Sequence, residues 1–357
     1  MNQKKRILSG MRPTGPLHLG NLHGALANWV NMQEAYDCFF FIADWHALTS
    51  DYEDPGAITG FVDEMMIDWL SAGLDPDKST LFVQSLVPEH AELFLFLSMI
   101  TPVPWLERNP TYKDQIVQLS NKDLSTFGFL GYPVLQAADI IIYKADGVPV
   151  GMDQIPHVEL TREITRRFNF LYGKVFPEPE VILTRTPKLL GIDRRKMSKS
   201  YENAIYMSDS PKQTLSTAAK MVTDPQRKKR SDPGDPDVCN VFSFHNIYSD
   251  KETIERINTE CRAAQIGCVE CKKIMAANLN RSLEPVREKR AYFEQHPEQI
   301  DDIIASGAEK ARKVAAAIGK VSVDMGGTAC KVPFAPQYIT KVIERGNLGK
   351  KRPSARC

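Results

Sequence analysis

Two short stretches carry the residue types that phosphate chemistry needs. In Lys196-Met197-Ser198-Lys199-Ser200 two lysines bracket a Met-Ser pair, and Arg194 and Arg195 precede them. A loop built this way brings positive charge to a polyphosphate, while its small hydroxyls let the backbone approach. Far upstream, Thr14-Gly15-Pro16-Leu17-His18-Leu19-Gly20-Asn21 follows the apolar pair Ile7-Leu8 and opens a periodic segment at Leu19, Leu22, Leu26, Trp29 and Val30. That pattern predicts strand, tight turn and helix, with an imidazole at the helix start. A helix N-terminus binds anions through free N–H groups and its dipole. Together the two elements could clamp one triphosphate.

A third constellation is built on sulfur. Cys239, Cys261, Cys268 and Cys271 follow the spacing C-x21-C-x6-C-x2-C. One C-x2-C pair with two outliers is not the double-knuckle zinc pattern, and it does not match the common ferredoxin runs. Four thiolates can still hold a [4Fe–4S] cluster. A zinc site and four unrelated buried thiols are the alternatives. Cys38, Cys330 and Cys357 lie elsewhere and read as core or tail thiols.

The elements that must position these residues alternate. Residues 4–10 read as a buried strand, Cys38 to Ala43 as a strand covered on both faces, and Thr80 to Val83 as a third. Asp54-Pro55 opens a helix between the last two. Val148-Pro149-Val150 and Glu180 to Leu183 are further strands. Such alternation implies an α/β fold with a Rossmann-like, doubly wound parallel sheet. Ligands of such sheets bind beyond the strand C-termini, where the Thr14–Gly20 turn would lie. Residues 102–146 form a helical insertion, with Asp139 in a strongly apolar helix. A buried carboxylate needs donors; a structural partner or a ligand N–H could supply one. After about Tyr201 helical periodicity dominates, at Leu215 to Met221, Ile254 to Cys261, Ile274 to Leu283 and Ala311 to Ile318. Gln226-Arg227-Lys228-Lys229-Arg230 reads as a solvated charge run, with phosphate contact as the alternative. The expected division is a catalytic domain over 1–200, a mostly helical domain over 201–326 and an extension over 327–357.

Composition sets the class. The chain has 357 residues, 43% hydrophobic and 25% charged, so it can bury a sizeable core. A formal net charge of +1 gives no bulk attraction to nucleic acid, so an RNA site must rest on local patches. No apolar stretch reads as a signal peptide or membrane span, which points to the cytoplasm and to the seven cysteines as thiols.

The two phosphate stretches resemble the signatures of class I aminoacyl-tRNA synthetases. His18-Leu19-Gly20-Asn21 looks like that family's HIGH tetrad with Asn in the last place, and Lys196 to Ser200 matches its KMSKS loop at every position. The resemblance covers about residues 5 to 325 and sharpens to the tryptophanyl-tRNA synthetases. It is carried there by Gly10 to Gly15, Tyr132 to Asp139, Gly151-x-Asp153-Gln154 and the Leu160 to Asn169 run.

That resemblance implies ATP-dependent activation of L-tryptophan with Mg²⁺, transfer to tRNA(Trp), an anticodon-binding role for the helical domain, and a homodimer. It implies that Asp139 accepts the indole N–H and that Tyr132 and Gln154 hold the α-ammonium. Gln136 stands where some members have Met against the indole, a departure that alters the expected contacts. His18 and Asn21 would donate to the triphosphate, and Lys196 and Lys199 would neutralise the leaving pyrophosphate. Arg12, Pro13, Thr14 and Gly20 would shape the phosphate turn. Gly151, Met152, Asp153 and Leu189 would face the adenosine, and Met197, Ser198 and Ser200 would complete the ATP loop. A subset of bacterial members carries a [4Fe–4S] cluster on almost the spacing of Cys239, Cys261, Cys268 and Cys271. Two rivals remain: a small-molecule nucleotidyltransferase of the same superfold, and a paralogue that binds RNA or senses tryptophan without charging tRNA.

Overall fold

The computed structural model describes residues 4–119, 122–184, 189–318, 323–325 and 328–330. Strand β1 (Arg6–Met11) turns into α1 (Leu19–Asn21), which continues through a π-helical turn (Leu22–Leu26) into α2 (Ala27–Met32). Then come β2 (Asp37–Ile42), α3 (Asp44–Asp51), α4 (Pro55–Ala72), β3 (Ser79–Val83), α5 (Glu89–Ile100), α6 (Val103–Glu107), α7 (Pro110–Gln118) and α8 (Phe127–Ile141). β4 (Gly147–Val150), α9 (Ile155–Tyr172) and β5 (Glu180–Leu183) complete the sheet region. All five strands run parallel in the order β3-β2-β1-β4-β5.

The continuous apolar run of β2 is explained by burial on both sides. Phe39 and Phe41 join a core with Phe82, Leu93 and Ile140, while Cys38, Phe40 and Ile42 join the opposite core with Trp29, Met66 and Trp69. The strand order reverses between β1 and β4, so the crevice for a ligand opens at their C-terminal ends.

Beyond the sheet lie α10 (Pro211–Ala219), α11 (Asn240–Tyr248), α12 (Lys251–Arg262), α13 (Cys268–Glu294) and α14 (Pro297–Ile318). The periodicities expected at Ile274–Leu283 and Ala311–Ile318 are only parts of these last two helices. α13 runs on through Pro285, and α11 is a helix the pattern did not single out. The helices α10 to α13 build a core from Ala218, Phe244, Ile257, Met275 and Leu279, and that core takes in Leu19 and Met197.

α14 folds back onto β3. It gives Ile300 and Ile304 to one core of the sheet and Ala308, Ala311 and Ala315 to the other. Gly307, at the crossing, lies so close that a Cβ there would stand 1.7 Å from the carbonyl oxygen of Leu81. Val323–Met325 and Thr328–Cys330 pair antiparallel as β6 and β7. The remainder of the expected 327–357 extension, including Cys357, lies outside the described residues. Among the described residues, no helix is long and apolar enough to cross a membrane.

Candidate active site

A cavity of about 340 Å³ opens at the C-terminal ends of β1 and β4. Gly10, Arg12, Tyr132, Gln136, Asp139, Gly151 and Gln154 all line it. The π-helical turn brings Gly24 and Ala25 to the opposite wall. The tryptophan-binding set expected from sequence (Tyr132, Gln136, Asp139, Gln154) therefore converges on one cavity.

Asp139 sits at its base, fully buried on α8. Its Oδ1 accepts from Gln84 Nε2 at 2.8 Å and from His90 Nδ1 at 2.6 Å, and its Oδ2 accepts from His46 Nε2 at 2.7 Å. Burial pushes this carboxyl up, but the bonds and charge from His46 and His90 outweigh it and hold the group at about 2. The carboxylate is thus an obligate acceptor. It has about four acceptor positions, three are used, and the spare one is on Oδ2, beside His46 on the cavity wall. The structural and ligand-binding readings of Asp139 are thus compatible.

None of these three partners was singled out from sequence. His46 follows the end of β2 and Gln84 the end of β3, so the strand-end rule that found the Thr14–Gly20 turn also points to them. A second relay was also missed. Tyr132 Oη lies 3.1 Å from His157 Nε2, and His157 Nδ1 lies 3.4 Å from the amide of Asn109. Asn109 Nδ2 can only donate, so Nδ1 accepts and the ring proton sits on Nε2, donating to Tyr132. Burial, with the charge of His46, lowers His157 to about 4 and keeps it neutral. The phenol oxygen keeps one lone pair for a ligand cation.

The phosphate stretches meet just outside this cavity. His18 caps α1: its Nδ1 accepts from the Asn21 amide at 3.3 Å, and its own amide donates to Asn21 Oδ1 at 3.1 Å. The imidazole proton is therefore on Nε2. Burial, then the nearby Lys199 and Lys196, lower His18 to about 4, so it is a neutral donor at pH 7. Lys199 reaches the phosphate turn, its Nζ 3.1 Å from where a side chain at Gly15 would begin. Burial lowers its ammonium to about 8, against the pull of Glu64 and Asp68. Arg12 is likewise lowered by burial, with Asp51 opposing, and its Nη1 donates to Ser50 Oγ at 3.3 Å. Pro13 and Thr14 wall a smaller adjoining hollow with Asp51 and Lys122, which pair with each other.

Other expected residues fall differently. Met197 and Leu189 are both buried and belong to the helical core. Met152 is 78% exposed at the rim, and Asp153 accepts from Gln154 Nε2 at 3.0 Å. Ser198 donates its amide to Asn203 Oδ1 at 2.9 Å. Lys196 is exposed and Gly20 partly buried. The side chain of Ser200 lies outside the described residues.

The four cysteines gather under α11 to α13, and each of the four bears a free thiol. Arg227 Nη1 stands 3.7 Å from Cys261 Sγ and 3.8 Å from Cys268 Sγ, while Cys271 Sγ lies 3.5 Å from His245 Nε2. Burial, then the proximity of Cys239, Cys261 and Cys268, pushes the Cys271 thiol up to about 12. Among the described residues no group of three or more His, Cys, Asp or Glu side chains is arranged to hold a metal ion. The charge run is corrected in one member. Arg227 is turned inward, donating also to the carbonyls of Arg230 and Ile266 at 2.9 and 2.8 Å, because the sulfurs and loop carbonyls offer its planar fork more acceptors than the surface does.

A doubly wound sheet whose crevice joins a neutral histidine at a helix start to a lysine loop defines a class I tRNA synthetase. The chain belongs to the class I tRNA synthetases for tryptophan and tyrosine, whose family pattern matches residues 1–284. Among its relatives, the tryptophan–tRNA ligase of Thermotoga maritima is 55% identical over 87% of this chain and 95% of that one. The Aquifex aeolicus tryptophan–tRNA ligase is 47% identical over 87% of this chain and 96% of that one. In structure the chain is similar to the Campylobacter jejuni tryptophanyl-tRNA synthetase complexed with ADP and tryptophan. There the TM-score is 0.81 at 32% identity, covering 96% of this chain and 100% of that one.

Proposed function

We infer that this chain is a tryptophan–tRNA ligase. It activates L-tryptophan with ATP to tryptophanyl-adenylate and transfers the acyl group to the 3′ end of tRNA(Trp). The observation that carries the specificity is the spare acceptor position on Asp139 Oδ2 at the base of the cavity. An indole N–H satisfies it, whereas a ring without that donor leaves a buried carboxylate oxygen short of a partner. Tyr132 and Gln154 receive the α-ammonium, and Gln136 lies along the ring. The substrate carboxylate attacks the α-phosphorus, and pyrophosphate leaves.

The protein's share of that step is positioning and charge stabilisation. His18 donates through Nε2, Asn21 holds the His18 ring, and Lys196 and Lys199 take the charge of the leaving group. Arg12, Pro13, Thr14 and Gly20 form the phosphate turn, while Gly151, Met152 and Asp153 stand at the adenosine side. Mg²⁺ enters on the triphosphate, where divalent ions bridge phosphate oxygens. The helical domain over 201–326 reads the anticodon, and the reaction runs in the cytoplasm. The test is pyrophosphate exchange into ATP with tryptophan or tyrosine, followed by charging of tRNA(Trp). Exchange with tryptophan alone and full charging support the reading; exchange without charging favours the non-charging paralogue.

We propose that Cys239, Cys261, Cys268 and Cys271, which as they stand are not arranged to hold a metal ion, would draw together around a [4Fe–4S] cluster. The fit rests on two observations. Cys239, Cys261 and Cys268 lie near enough to add to burial in pushing the Cys271 thiol up, which an iron core would offset by stabilising the thiolate, and Arg227 supplies N–H donors to two of the sulfurs. When bound, the cluster would cross-link the Asp224–Cys239 loop to α12 and α13. Iron, sulfide and zinc content of anaerobically purified protein tests it. About four irons and four sulfides per chain support it, and zinc or no metal overturns it.

The chain is also proposed to form a homodimer. Leu95, Met99 and Val103 are exposed around α5 and α6. Phe170, 88% exposed, projects from the adjoining end of α9, where Arg167 donates to the carbonyl of Ile100. Sedimentation equilibrium with and without Met99→Asp checks this face.

A further inference from the structure

Asn203 lies just past the lysine loop and has no part in the roles above. It is 1% exposed, and its amide is fully engaged. Oδ1 accepts from the Ser198 amide at 2.9 Å, while Nδ2 donates to the Lys196 carbonyl at 3.2 Å and to Asp193 Oδ1 at 2.7 Å. Asp193 in turn accepts from the backbone N and the Nε of Arg195 at 3.0 and 2.6 Å. The Asn203 carbonyl accepts from the Ile192 amide at 2.9 Å. Gly191 makes room for this arrangement: a Cβ there would lie 2.2 Å from Asn203 Nδ2.

One side chain thus draws together both limbs of the loop that carries Lys196 and Lys199. Directly after it the chain pairs with the His18 segment. The Leu19 amide donates to the Ile205 carbonyl at 3.0 Å and the Met207 amide to the Leu17 carbonyl at 2.9 Å, flanking a bridge between His18 and Tyr206. Asn203 therefore stands at the joint between the two phosphate-binding elements.

We propose that Asn203 is a positioning residue for adenylate formation, its amide fixing where Lys199 stands relative to His18 at the triphosphate. This rests on the reading that Lys199 acts on the triphosphate. Deleting the amide leaves the lysine present but misplaced, and a misplacement of about 1 Å costs on the order of 10²-fold in rate.

The experiment is a double-mutant cycle in tryptophan-dependent ATP–pyrophosphate exchange, with tryptophan Kd and the melting transition measured alongside. Asn203→Ala is expected to lower kcat by on the order of 10²-fold with tryptophan Kd within about twofold. In a Lys199→Ala background the same substitution is expected to add less than about threefold, because it acts through the missing group. An unchanged kcat in Asn203→Ala, or full additivity in the cycle, overturns the proposal. Lys199→Ala that keeps kcat overturns the triphosphate reading itself, and the single variant shows that separately. Should Asn203→Ala not fold, Gly191→Ala decides. It displaces the amide without deleting it and is expected to lower kcat likewise; normal kcat there overturns the proposal.

Discussion

The carboxylate of Asp139 accepts from His46 Nε2 at 2.7 Å, and that bond orients the oxygen left facing the cavity. Removing the carboxylate removes the proposed indole acceptor and strands three buried donors. Asp139→Ala is expected to raise the KM for tryptophan by on the order of 10²-fold, with the KM for ATP little changed. An unchanged tryptophan KM in steady-state exchange kinetics would falsify the indole assignment.

The same carboxylate links stability to acid. Its folded value of about 2 is depressed below the unfolded value near ~3.9. Its contribution is therefore complete above pH ~3.9 and is lost as pH falls through about 2. The amount is of the order of 2 to 3 kcal/mol. Denaturant titrations between pH 5 and pH 3 should show wild type losing stability on acidification more steeply than Asp139→Asn, in which this titration is absent.

In the proposed mechanism Lys199 sets an alkaline limit on catalysis. Its ammonium is held down at about 8 by burial, and in the proposed role it is the protonated form that would meet pyrophosphate. With ATP below its KM, adenylate formation should fall as pH rises through about 8. Lys199→Arg keeps a charge that does not titrate there, so its residual activity should show no such limb. Lys199→Ala is expected to lower kcat by roughly 10² to 10³-fold while leaving tryptophan Kd intact, the sign of an interaction made mainly in the transition state.

Gly307 is a packing prediction away from the chemistry. A Cβ there would overlap the Leu81 carbonyl, and backbone cannot step aside as a flexible side chain can. Gly307→Val is expected to destabilise by about 3 kcal/mol or more. Thermal denaturation measures it, and a melting temperature equal to wild type would refute the close contact.

Sequence reading located the sheet because each strand is a short apolar run between turn residues, and because β2 faces a core on both sides. It brought Tyr132, Asp139 and Gln154 to one site through local motifs. It did not see the partners of Asp139, since His46, Gln84 and His90 come from three separate elements and look like ordinary polar residues in their own neighbourhoods. Only the packing of α8 against α3 and α5, the helices that follow β2 and β3, assembles them. Arg227 shows the opposite failure. A cluster of like charges resembles solvated surface in one dimension, yet one member finds sulfurs and carbonyls that are distant in sequence. Asn203 was missed because its three contacts are with backbone and a nearby aspartate, which leave no periodic signal.

The seating of α14 across β3 has a consequence for how the chain is made. An uncovered strand edge is a template for pairing with another chain. β3 leaves the ribosome well before the helix that closes it, which is seated by Gly307 over Leu81. Until then the nascent sheet is open to pairing with neighbours on the same message. A chain interrupted before Pro297 would keep that vulnerability permanently and accumulate as aggregate rather than as a smaller enzyme.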